Sequence, residues 1–262
     1  AVLNPALLLF LSGILIGITF KLTLPNSISK YLGYYLLLSL GLKGGLSLQE
    51  NGFINEVISV LSLGVIFALL IPAVAYFYLK NLLNTDDAAA LSGTYGSVSA
   101  VTFVTAIAYL STTSQDFDNY MSAVLVVMEF PAIFMALYLV THNKNDNNNN
   151  LKTIKTAFLE IPNIILISSL FLGYFVSKKT LSNLDYLIVT IFDYLLYIFL
   201  FVMGTRVAKR IGELKGRGFS LIAFALLMPL IGSFISLLAS IYFGLSIGNA
   251  TLLMVLTASA SY

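Results

Sequence analysis

Residues 86–108 read DDAAALSGTYGSVSAVTFVTAIA. Two carboxylates, Asp86 and Asp87, open the stretch, and the alanine-rich run behind them favours helix. Residues 92–99 are small and hydroxyl-rich, with glycine at 93 and 96. The chain then turns apolar again. In water this would be a loop between two short helices. In a bilayer it reads as one span interrupted at its middle. Backbone that is not helical at that depth must line a cavity or lie under other protein. Gly-interrupted spans are the best sequence pointer to a transporter's binding site.

The bilayer reading follows from the rest of the chain. Of 262 residues, 58% are hydrophobic and only 10% charged, with mean hydropathy +0.92. Ordinary globular domains carry about 25% charged residues. The class is therefore an all-α membrane protein. A net charge of +2 gives no reason to expect a nucleic-acid partner. With no cysteine and a single histidine, His142, thiolate metal sites, cysteine nucleophiles and a histidine-based centre are unavailable. No nucleophile–base pair is spaced for catalysis, so we expect a non-enzyme without a cofactor, and no bound metal other than a transported ion.

Apolar runs close to the length that crosses about 30 Å of hydrocarbon occupy 5–20, 28–42, 53–79, 85–110 (the interrupted one), 120–140, 154–176, 184–205 and 219–243; a ninth begins at 247. An Asn-rich segment lies between the fifth and sixth. With the N-terminus outside and the spans alternating, Lys21, Lys30, Lys80, Lys144, Lys152, Lys155, Arg206, Lys209, Arg210, Lys215 and Arg217 fall on one side. Lys43, Lys178 and Lys179 fall on the other. The side rich in Lys and Arg is expected to be cytoplasmic. Asp86 and Asp87 would then cap the start of the fourth span, Pro72 and Pro229 would kink theirs, and residues 206–217 would anchor at the cytoplasmic headgroups.

The halves of the chain resemble each other. Pro5 and Pro162 stand 157 residues apart, and so do Pro72 and Pro229. Gly41 answers to Gly204, and Ser97-Val98-Ser99 to Ser259-Ala260-Ser261. Five spans separate the members of each pair, so the halves run in opposite senses, the inverted-repeat plan of secondary transporters. The division is 1–141 for the first repeat, 142–153 for a cytoplasmic linker, and 154–262 for a second repeat that stops within its fourth span. A longer native chain is expected.

A half-helix that ends in mid-membrane leaves carbonyls and partial negative charge; one that begins there leaves N–H groups and partial positive charge. The first suits a cation, the second an anion. The hydroxyls of Thr94, Ser97, Ser99 and Thr102 serve either, although Ser and Thr in membrane helices often bond only the preceding turn. Glu129 lies inside the fifth span, where a carboxylate is functional by default. It is a candidate Na+ ligand or coupling group.

The segments GTYGSVSAVT (93–102), EFPA (129–132), MG (203–204) with RIGEL (210–214), and LTASASY (256–262) resemble the sodium-dependent bicarbonate transporter family of cyanobacteria and other bacteria. The resemblance runs from the first span to the last residue. It implies ten spans in two inverted repeats of five, each with a crossed, discontinuous helix, with substrate and Na+ between them. It implies a homotrimer in the bacterial plasma membrane that imports bicarbonate with Na+, with a PII-like regulator as a possible cytoplasmic partner. By position, Tyr95, Gly96, Ser97, Ser99, Ser259 and Ser261 would bind substrate, and Thr94, Thr102, Glu129 and Ser261 would bind Na+. The characterised cyanobacterial type has Asp where this chain has Tyr262. Two rival readings follow: a transporter of the same fold for another small anion or organic solute, and a non-transporting membrane sensor or scaffold that binds a soluble partner. The expected motion is an elevator or rocking one, with the interrupted spans moving against a scaffold of spans 1, 2, 6 and 7.

Overall fold

The computed structural model describes residues 5–22, 24–96, 98–142, 160–176, 191–214 and 218–260. These form ten α-helices: α1 (Pro5–Phe20), α2 (Asn26–Asn51), α3 (Asn55–Leu79), α4 (Thr85–Thr94), α5 (Ala100–Thr112), α6 (Met121–His142), α7 (Ile161–Phe175), α8 (Phe192–Arg210), α9 (Phe219–Tyr242) and α10 (Ile247–Ala258). A 3₁₀ turn at Ile211–Leu214 follows α8. No strand occurs among the described residues.

Two helices, α3 and α9, are long and apolar enough to cross a bilayer; α1, α5, α7 and α10 contain shorter apolar stretches. On α9 the side chains of Leu226, Leu230, Phe234, Leu238 and Ile241 are all exposed. A continuous apolar face of this kind is unsuited to water and suited to lipid or a further helix.

The helices sort into two packed groups. In the first, α1 lies on α8, α2 on α7, and α2 on α8. Glycines set these contacts. A Cβ on Gly45 would run into the backbone carbonyl of Leu170, and one on Gly173 into that of Leu42. Gly13 meets the Phe201 carbonyl, and Gly204 the Phe10 carbonyl, in the same way. Small residues let membrane helices approach backbone to backbone, where dispersion and weak polar contacts replace a hydrophobic driving force. The second group holds α3, α4, α5, α6, α9 and α10 around buried Phe103, Leu125, Met128, Leu252, Leu253 and Leu256. The groups meet mainly along α2 and α6, where Gly44 sits against the backbone of Ser122 and Ala123.

Helix α2 runs nine residues beyond the apolar stretch that ends at Leu42. The sequence shows Lys43-Gly44-Gly45 there, which reads locally as a stop. The tertiary structure overrides it. Gly44 and Gly45 are flat contact points for α6 and α7, and the Lys43 ammonium lies 4.5 Å from the centre of the Phe192 ring.

Candidate functional site

The interruption read from the sequence is present, and narrower than expected. Helix α4 continues through Ser92, Gly93 and Thr94, and the two hydroxyls bond within their own helix. Ser92 Oγ donates to the Ala89 carbonyl at 2.8 Å and Thr94 Oγ1 to the Leu91 carbonyl at 2.8 Å. Asn84 caps the start of α4. Its side-chain oxygen accepts from the Asp87 N–H at 2.8 Å, and its amide donates back to the Asp87 carboxylate at 3.0 Å. Asp86 and Asp87 occupy the first turn, where negative charge is favoured. The cap itself is Asn84, a preferred capping residue that the sequence reading passed over in favour of the two aspartates.

After α4 the chain turns sharply. The Tyr95 N–H bonds the Ser92 carbonyl at 3.1 Å and the Gly96 N–H bonds the Gly93 carbonyl at 3.1 Å. The Tyr95 ring is buried edge-on against Phe224 of α9, centroids 5.2 Å apart. Gly96 is pressed onto α3. A Cβ there would strike the Pro72 ring and stand 3.0 Å from the Ala68 carbonyl. Pro72 has a second effect. It lacks the N–H that would close the helical bond to Ala68, so the carbonyl beside Gly96 receives none from it.

Val98 is buried, and its N–H donates to Glu129 Oε2 of α6 at 3.3 Å. Ser99 is the N-cap of α5, and its Oγ accepts from the Thr102 N–H at 3.4 Å. The Ser99 N–H donates to Ser259 Oγ at 3.2 Å. Ser259 is where α10 ends and the backbone becomes extended. Its hydroxyl donates to the Leu256 carbonyl at 2.9 Å while accepting from Ser99. Both polar residues are deeply buried, Glu129 at 7% exposure and Ser259 at 6%.

The residues singled out in the sequence are thus distributed as follows. Tyr95, Gly96, Ser99, Glu129 and Ser259 gather at the interruption. Thr94 is half-buried and bonded within α4. Thr102 is exposed on α5, its Oγ1 bonded to the Ser99 carbonyl at 2.8 Å. Ser97, Ser261, Tyr262 and most of the 142–153 linker lie outside the described residues. Arg206, expected at the headgroups, makes a contact within the protein. Its Nη2 donates to the Asn26 carbonyl at 3.2 Å and Oδ1 at 2.9 Å, tying the end of α8 to the start of α2.

A further polar cluster carried no signal in the sequence. Asn249, fully buried near the start of α10, donates to Asp118 Oδ2 at 2.7 Å and to the Tyr120 hydroxyl at 2.9 Å. Its oxygen accepts from the Asp118 N–H at 2.9 Å, and the Tyr120 hydroxyl donates to Glu56 Oε1 at 2.9 Å. This clamps α10 to the loop that follows α5. Four isolated polar residues, spread over nearly 200 positions, have no local pattern to reveal them.

With helices and no strand among the described residues, a strongly apolar composition and a helix interrupted at a buried polar junction, the chain is built as a membrane protein. The model of the Na+-dependent bicarbonate transporter superfamily matches residues 5–262, and the chain belongs to that superfamily. No match was found among curated proteins.

Proposed function

We propose that this chain is a secondary transporter that imports bicarbonate together with Na+. The observation that carries the reading is the junction at Tyr95–Ser99, where one helix ends, another begins, and Ser259 arrives from the end of a third. The α5 start presents the positive end of a helix dipole to an anion, and the Val98 and Ser99 N–H groups beside it, bonded to Glu129 and Ser259, would exchange those partners for the anion. The α4 end, the Ala68 carbonyl beside Gly96, and the Glu129 carboxylate offer oxygen to Na+, a hard cation. Helices α3–α6, α9 and α10 contain no Lys or Arg. That favours a small singly charged anion over a phosphate or dicarboxylate, which is usually met by arginine.

The packing pairs support two inverted repeats. If α1 corresponds to α7 and α2 to α8, exchanging the halves turns the α1–α8 contact into the α7–α2 contact, and both occur. The first group would then be the scaffold and the second the moving part, in a multi-pass protein with its N-terminus outside. With one Na+ per bicarbonate the cycle is electroneutral. The membrane potential, about 2.3 kcal/mol per charge per 100 mV, then does no work, and the Na+ gradient alone drives uptake.

The test is labelled-bicarbonate uptake into proteoliposomes, with an inward Na+ gradient and with choline in its place. Uptake that needs Na+ and ignores an imposed potential supports the reading. Uptake that persists in choline overturns the coupling. Competition by another small anion without bicarbonate uptake favours the same fold with a different substrate.

A further inference from the structure

The anion-facing start of α5 is held by the protein's own carboxylate. Glu129 reaches it from α6, 31 residues further along the chain, and its Oε2 takes the Val98 N–H. A local cap is already present, since Ser99 Oγ accepts from the Thr102 N–H. A neutral amide or hydroxyl would satisfy the Val98 N–H at a smaller desolvation cost than a buried charge. A carboxylate can carry a charge that the bond to Val98 does not itself require. Its planar O–C–O fork is also the fork of bicarbonate and of other small oxyanions.

We propose that the Glu129 carboxylate is an internal competitor for the transported anion: it holds the Val98 N–H, just ahead of α5, until a cation neutralises it, so cation binding precedes anion binding. This rests on the transport reading above and deepens it. Two anions at one helix start repel strongly at low dielectric. The helices that build the junction supply no Lys or Arg to offset the second charge. A Na+ ion drawn to Glu129 cancels that repulsion and competes with Val98 for the carboxylate oxygens, which frees the N–H. Coupling then resides in one side chain. Without Na+ the anion meets a closed, negative site, and with Na+ it meets an open, neutral one.

The experiment measures anion affinity for the full chain in nanodiscs by titration calorimetry at fixed pH, in Na+ and in choline, using bicarbonate, nitrate and formate as probes. Wild-type affinity should fall by about tenfold or more when choline replaces Na+. Glu129→Gln should bind the anion equally in both salts, within about twofold. Glu129→Asp keeps the charge and should keep the Na+ requirement. Glu129→Leu is a second neutral variant, for use if Glu129→Gln does not fold. An undiminished Na+ requirement in the neutral variants overturns the proposal, because Glu129 is then only a cap. A wild-type affinity indifferent to Na+ overturns it without any variant. If nitrate or formate binds with this pattern and bicarbonate does not, the bicarbonate reading fails and the competitor stands. Wild-type protein that binds none of the three overturns both.

Discussion

Ser99 and Ser259, 160 residues apart, are joined by one hydrogen bond from a backbone N–H to a hydroxyl, 3.2 Å long. The donor opens one helix and the acceptor closes another. The contact therefore links the start of α5 directly to the end of α10.

Removing that acceptor should affect transport more than stability. Ser259→Ala leaves the Ser99 N–H without its partner, and a neutral hydrogen bond contributes about 1 kcal/mol. Thermal unfolding in detergent should shift only slightly. Na+-driven uptake should fall by about tenfold or more, if the hydroxyl also serves in the transport cycle. Equal uptake by Ser259→Ala and wild type would remove Ser259 from the site.

Gly96→Ala should destabilise the junction. The new methyl would meet the Pro72 ring and the Ala68 carbonyl, neither of which is the end of a flexible side chain. Overpacking of this kind costs about 1–3 kcal/mol. Pro72→Ala added to Gly96→Ala removes the ring and should recover part of the loss. Unfolding midpoints of the two single variants and the double variant test this, and simple additivity would count against the contact.

At the start of α10, Asn249→Ala should cost about 2–3 kcal/mol, because it strands the groups around a fully buried amide. Asn249→Asp should be worse. It exchanges the amide donor for a second carboxylate against Asp118, in place of the 2.7 Å hydrogen bond. Thermal stability should therefore rank wild type, then Ala, then Asp.

The backbone-to-backbone contacts between α2 and α7 predict a steep size limit. Gly45→Val and Gly173→Val place branched side chains where backbone carbonyls of the facing helix already lie. Both should lose folded protein on size-exclusion in detergent, by about 3 kcal/mol or more. Gly212→Ala is the control. Nothing lies within 4 Å of a Cβ there, and its behaviour should match wild type.

Much of the organisation is local and therefore legible in the chain. The polar, Gly-broken stretch in an apolar segment marks the interruption because unwound backbone needs polar company wherever it lies. The helix boundaries at Pro5–Phe20 and Phe219–Tyr242 follow from hydropathy alone. The likeness of Ser259-Ala260-Ser261 to Ser97-Val98-Ser99 points to Ser259, where α10 ends.

The tertiary structure decided the rest. Which acceptors meet the Val98 and Ser99 N–H groups depends on the register of α6 and α10 against α5. That register is set by close contacts such as Gly96 on Pro72 and Asn249 on Asp118, whose partners lie tens to more than a hundred residues apart. The extension of α2 through Lys43-Gly44-Gly45 has the same origin, since those glycines act as breakers only until a neighbouring helix needs a flat face. Polarity and periodicity are properties of a segment and can be read from it. A donor and its acceptor on different helices are a property of packing, and only the folded chain brings them within reach.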